Sequence, residues 1–410
     1  MGKNTPIYFL FIFIFSLPLT EAIKNISWFL YIITWFYTRR KVFKNYEFLS
    51  GFLKPINIML MLVIISPYIV ATFSDVNLRE WDGAWDVLRY GLVGITICNT
   101  KFSEKEISKI FQIMLLSTFL AILYGNYKFF SLQEQFIKLH SVGHVNHSSI
   151  YLAIILCLLL SIIITFNKIS VLFITYSVAF FCLLFSILEM AARGAIIPLF
   201  ISFLLIIFLR KEMKNRFIIF SVFILLILSI SYFFEIEFIN KFMNAGTSNR
   251  IKLLNSSYLL FIYSPIFGVG LENSIFYFEH ERFLSVCNSL GVNFNKDEFQ
   301  TDHVHAHNFY MQSLVERGLF GTIPQILLLI FWIKTLISYH KIIRNKIMFI
   351  AWNTSLSSFL IISIGGIFNT TFHHENATLS LIIFSVTYSL FNNYYPIIHN
   401  SVIKKNFSKP

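Results

Sequence analysis

Apolar residues run along this chain in long blocks separated by short polar stretches. The blocks fall near 5–21, 24–38, 55–73, 86–99, 107–126, 148–166, 169–188, 193–209, 217–234, 318–337, 346–365 and 377–397. A helix needs about 20 apolar residues to cross a hydrocarbon core about 30 Å thick. Backbone polar groups cannot go unpaired in lipid, so the blocks predict helices. The pattern therefore predicts an all-α, polytopic membrane protein of about twelve spans. The first block follows one lysine and resembles a signal peptide, but a second block follows almost at once, so it reads as an uncleaved span.

Composition agrees. Of 410 residues, 56% are hydrophobic and 13% charged, against about 25% charged in soluble domains. The four cysteines show no paired spacing, which predicts neither a disulfide framework nor a thiolate metal site.

The net charge of +12 is explained by where the basic residues fall. They cluster at Arg39-Arg40-Lys41 with Lys44, Lys101/Lys105/Lys109, Arg210-Lys211 with Lys214 and Arg216, Lys341/Arg344/Lys346 and Lys404-Lys405 with Lys409. These are alternate loops, which the positive-inside rule assigns to the cytoplasm together with both termini. Basic excess is then a topology signal and no nucleic-acid partner is expected. Spans 1–9 occupy 1–234, a large outward loop takes 235–317, and the last three spans and the tail fill 318–410. That loop is rich in aromatic and apolar residues, so it reads as a small folded cap.

Polar residues at the outward ends carry the candidate chemistry. Arg193, in "EMAARGAII", is read either as a snorkelling side chain or as a cation aimed at an anionic headgroup, with Glu189 one helical turn away as a partner. Arg250 opens an amphipathic run in the loop, with Ser248 and Asn249 as candidate caps. Two outward arginines suit a phosphate, because guanidinium binds it in a fork. "HVHAHNFYMQSLVERGLFGT" places His303, His305 and His307 ahead of a helix that Asp302 could cap. Alternate histidines face one side when extended, but no carboxylate or cysteine stands at a familiar metal spacing, so no metal is expected. A histidine acting as general base or as an orienting group is the preferred reading. His144, Asn146 and His147, and the run His373-His374-Glu375, either approach the same cavity or are loop polarity.

The spacing His-Asn, nine residues, Gly, two residues, Gly-Thr in 307–322 resembles the O-antigen ligases, which share a superfamily with the O-antigen polymerases. "AARGA", "NRIKLLNSSYLLFIYSPIFGVG" and "HVNHSSIYL" resemble further stretches of that family, while Ile323 stands where some members have a second Thr. The resemblance implies a glycosyltransferase of the bacterial inner membrane. It would move a glycan from undecaprenyl diphosphate to the lipid A–core oligosaccharide, outside the membrane, without metal, ATP or other cofactor. It also implies catalytic roles for His307, Arg193 and Arg250. Substrate contacts would come from His305, Asn308, His303, Asn146, Gly268 and Gly270. The competing readings are an O-antigen polymerase, a protein O-oligosaccharyltransferase and a lipid-linked-glycan transporter.

Overall fold

The computed structural model describes residues 5–40, 53–74, 80–190, 192–209, 248–301 and 305–407. The ninth predicted span, the basic group at 210–216, Asp302 and His303 lie outside the described residues. Fourteen helices and no strand are found among those described. They are α1 Thr5–Ser16, α2 Glu21–Arg39, α3 Pro55–Phe73, α4 Glu80–Cys98, α5 Glu104–Ser131, α6 Val145–Ile163, α7 Val171–Glu189 and α8 Arg193–Leu209. After them come α9 Ser248–Tyr263, α10 Ser274–Tyr277, α11 His280–Ser289, α12 Phe309–His340, α13 Lys346–Gly365 and α14 His374–Phe407.

Six of these, α3, α5, α6, α7, α12 and α13, are long and apolar enough to cross a membrane. Helices α2, α4 and α14 are also of spanning length but more polar, and α8 is a shorter apolar helix. The first predicted span is reduced to the 12 residues of α1. At about 1.5 Å per residue it reaches only about 18 Å, short of a hydrocarbon core.

Helix α6 forms the centre. Every side chain from Ile150 to Leu158 is fully buried, as expected of a helix that is apolar on all sides. Helices α5, α7, α8, α13 and α14 pack against it and share one core with α1, α2, α3, α4 and the membrane part of α12. At one end of the bundle Asn57 pairs with Asn99 at 3.0 Å and Asn345 donates to Glu104 at 2.8 Å. At the other end α2, α4, α6, α8, α12 and α14 begin. Polar side chains gather there, including the ion pair Lys24–Glu375.

The described part of the large loop packs as α9, α10 and α11 around a small core of its own. Leu253, Leu260, Phe278, Phe283, Val286 and Cys287 form it. Helix α9 starts at Ser248, so Ser248 and Asn249 are its first helical residues rather than caps ahead of it. The cap is anchored on α12, whose first turns precede a sharp break. Gly318 has φ 57° and ψ −165°, a conformation reserved for glycine. The segment 265–270 lies along this break. Val269 N donates to Val315 O (2.8 Å), Gly270 N to Glu316 O (3.1 Å), and Leu319 N to Pro265 O (2.9 Å). No side chain fits between the two backbones. A Cβ on Gly318 would lie 2.3 Å from Ile266 O, and one on Gly268 would lie 2.5 Å from the Glu316 carbonyl carbon.

These contacts separate two kinds of glycine. Gly291 also has positive φ (65°), but a Cβ there meets nothing within 4 Å. Gly291→Ala is expected to cost about 1 kcal/mol of backbone strain, whereas Gly318→Ala adds a steric clash and should cost more than about 3 kcal/mol. Thermal unfolding of the detergent-purified proteins checks this, and equal melting temperatures for the two variants would refute the docking argument.

Candidate functional site

The starts of α4, α6, α12 and α14 meet, and each brings a histidine, a carboxylate or both. His144 caps α6, accepting from Asn146 N at 3.2 Å. Its ring lies 6.1 Å from that of His147, which stacks at 6.1 Å on His373. His305 approaches His373 from the cap side at 6.2 Å. The rings of His373 and His374 are 3.6 Å apart and nearly perpendicular. His374 Nδ1 binds the Asp86 carboxylate, which also pairs with Arg89. Glu272 stands close enough to His373 and His374 that one ligand-type atom of each lies within 4.8 Å of the others.

A buried hydrogen-bond network holds this chamber against the cap. Ala306 N donates to Gln312 Oε1 at 2.7 Å, and Gln312 Nε2 donates to Ser274 Oγ (2.8 Å) and Glu316 Oε1 (2.7 Å). Glu316 also accepts from Ser274 Oγ (2.9 Å) and Glu272 N (3.1 Å). Asn273 donates to Glu80 at 2.9 Å, so the turn after Gly270 is tied to α4 as well. Arg317 is only 5% exposed beside Glu316, and its Nη1 has no hydrogen-bond partner among the described residues.

The backbone is strained here. Among the described residues the non-glycine positions with positive φ are Gln133, Glu272, His307 and His374. Three of those four belong to this region. Each costs on the order of 1–3 kcal/mol and persists only where the surroundings over-determine it. Burial disfavours the charged form of two of these imidazoles, His305 and His373. Burial first, then the neighbouring His307 and His374, push His305 down to about 4. Burial and the same kind of neighbours hold His373 well below the ordinary histidine range.

The structure treats the predicted residues differently. His305, His307 and Asn146 lie at or beside the chamber. Asn308, rather than Asp302, caps α12: its Oδ1 accepts from Met311 N at 3.0 Å while its Nδ2 donates to Ile367 O at 3.0 Å. Gly268 and Gly270 are packed against protein. Gly268 lies against the Gly318 backbone, and Gly270 against Asn273 and Ser74. Arg193 begins α8, next to the loop after α13, since a Cβ on neighbouring Gly194 would lie 3.3 Å from Phe368. Glu189 ends α7 and the helix is capped at Met190, so Glu189 and Arg193 do not share one helical face. Arg250 is exposed in the first turn of α9. Sequence reading did not single out Asp86, Glu272, Gln312, Glu316 or Arg317. Their shared signal is charge or amide chemistry inside or beside apolar blocks, which is expensive unless paired or used.

A second ionic cluster borders the chamber. Lys24, 4% exposed, binds Glu375, Glu21 (2.8 Å) and Ser141 (3.3 Å). Removing only the cation would strand the buried Glu375. Lys24→Met should therefore cost about 3–5 kcal/mol, and adding Glu375→Leu should recover most of it. Melting curves of the single and double variants test the coupling, and equal losses in both would show there is none.

No match is found among curated proteins. Residues 178–326, a stretch running from within α7 to within α12 and including Arg193, Arg250 and His307, match the family model described as O-antigen ligase.

Proposed function

We propose that this protein is the glycosyltransferase that ligates a glycan from undecaprenyl diphosphate onto the lipid A–core oligosaccharide, at the outer face of the bacterial inner membrane. The family match over 178–326, which contains the His-Asn-x9-Gly-x2-Gly-Thr spacing, is the observation that carries this reading. The bundle end adds support. Its polar chamber lies between spanning helices and a folded cap, the place where two lipid-anchored substrates could meet. An apolar groove between α7 and α8, of about 290 Å³ and lined by Leu184, Ile187, Leu199 and Phe203, offers room for part of a polyprenyl chain.

In this reading the acceptor sugar hydroxyl attacks the anomeric carbon of the donor. The bond to the diphosphate oxygen breaks, and the lipid diphosphate leaves with the electron pair. Arg193 and Arg250 bind the diphosphate and meet the charge that develops on it. His307 takes or directs the hydroxyl proton. Diphosphate is itself a good leaving group, so no ATP is consumed. With arginine supplying the cations, the chemical step needs no metal. The basic loops lie on the cytoplasmic side with both termini, and the chamber faces outward.

An O-antigen polymerase is the second reading, because the superfamily takes in both and they share the donor lipid. Deletion separates them on a lipopolysaccharide gel. Loss of a ligase leaves core without O-antigen, whereas loss of a polymerase leaves core bearing one repeat unit. The second pattern would overturn the ligase assignment.

Complementation by His307→Ala should reduce transfer by roughly 10²–10⁴-fold with the protein still inserted. Near-normal capping of core by that variant would remove His307 from the reaction. Arg193→Lys and Arg250→Lys should each lose roughly 10²-fold, because lysine keeps the charge but lacks the fork. Full activity of either lysine variant would exclude a forked diphosphate contact at that position.

A further inference from the structure

We propose that Glu272, His373 and His374 form a binding site for a transition-metal dication of the zinc class, which clips the cap to the membrane bundle. Glu272 lies on the turn that leads into α10, while His373 and His374 lie where the loop after α13 enters α14. About a hundred residues of chain separate the two segments, yet they bring two imidazoles and a carboxylate within 4.8 Å of one another. Closing the long loop between the two segments is where a metal clip gains most, since it removes loop entropy from the open state.

The donor set fits such an ion. Two nitrogens and one carboxylate oxygen suit zinc, whereas calcium and magnesium favour oxygen alone. Tetrahedral bonds of 2.0–2.2 Å would bring the ligand atoms to about 3.3 Å apart, a closure within reach of side-chain rotation. Two further observations point to a ligand. The Nδ1 of His373 is shut off from solvent and has no hydrogen-bond partner among the described residues. His374 already gives Nδ1 to Asp86, which leaves Nε2 for a cation. A carboxylate behind a ligating histidine fixes its tautomer and strengthens it as a donor.

The charges around the point nearly cancel, so the donor set itself carries the affinity. Asp86 and Glu316 add negative charge from α4 and α12, Arg89 and Arg317 oppose it, and His147 and His305 face the same space. Three protein ligands leave one position open for water. The ion takes no part in the transfer chemistry proposed above, and the inference does not rest on that reading.

The test is a titration of the full chain, purified in detergent and stripped with chelator, using Co²⁺ as the spectroscopic probe. Wild type should take up one equivalent with the absorption of four-coordinate Co²⁺, and Zn²⁺ should displace it. Glu272→Gln and His373→Ala should weaken binding at least tenfold, and Asp86→Asn by about 10–100-fold. His340→Ala, at the opposite end of α12, should bind as wild type. Glu272→Gln is isosteric, so it decides the matter if His373→Ala does not fold. Zn²⁺ should also raise the melting temperature of wild type and leave that of Glu272→Gln unchanged. Absence of saturable binding by wild type, or wild-type binding by Glu272→Gln, would overturn the site. An equal thermal shift in both proteins would overturn the clip.

Discussion

The approach of two glycine backbones, Gly268 and Gly318, sets the geometry on which the rest of this end of the molecule depends. Because neither residue has a side chain, the segment 265–270 can bond along the break in α12 on both sides of Gly318. That contact splits α12 into a short arm that belongs to the cap and a long arm that belongs to the bundle. It also delivers Glu272, Asn273 and Ser274 to the polar side chains of Gln312, Glu316 and Glu80.

Polar groups buried by this arrangement are mostly satisfied, and the exceptions are informative. Glu316 accepts three side-chain or backbone donors, which is how a carboxylate becomes tolerable away from water. Arg317 and His373 each keep a nitrogen with no partner among the described residues. Unsatisfied groups of this kind cost about 1–3 kcal/mol. They lie beside strained backbone at Glu272, His307 and His374. Stability spent in one place, on both side chains and backbone, is the signature of a region shaped for binding rather than for packing.

How much of this was legible follows from what local sequence can encode. Hydropathy blocks found the helices because spanning length and apolar content are local properties; α3, α6 and α13 begin and end close to where the blocks do. The block ahead of α2 misled, since apolar content alone does not reveal that α1 stops at Ser16. The helix entry after His307 is legible, but its cap is Asn308, closer to the helix than the candidate Asp302. Glu189 and Arg193 sit on two helices rather than one, because α7 is capped at Met190 and α8 starts afresh at Arg193. Contacts such as Glu272 with His373 are set by how helices pack, and no spacing rule along the chain reaches that far.

The Lys24–Glu375 pair has a consequence for biosynthesis. Its partners are separated by 351 positions, and Asp86 likewise waits for His374. Helices α2 and α4 therefore enter the membrane long before the last helix exists, carrying charged groups with part of their final pairing missing. Glu21 and Arg89 can serve as interim partners, one turn along the same helices. The arrival of α14 adds the long-range contacts to these local ones, which persist in the folded protein. A chain cut short before residue 373 would hold the cap, the break in α12 and His307, yet lack the histidines that close the space around them.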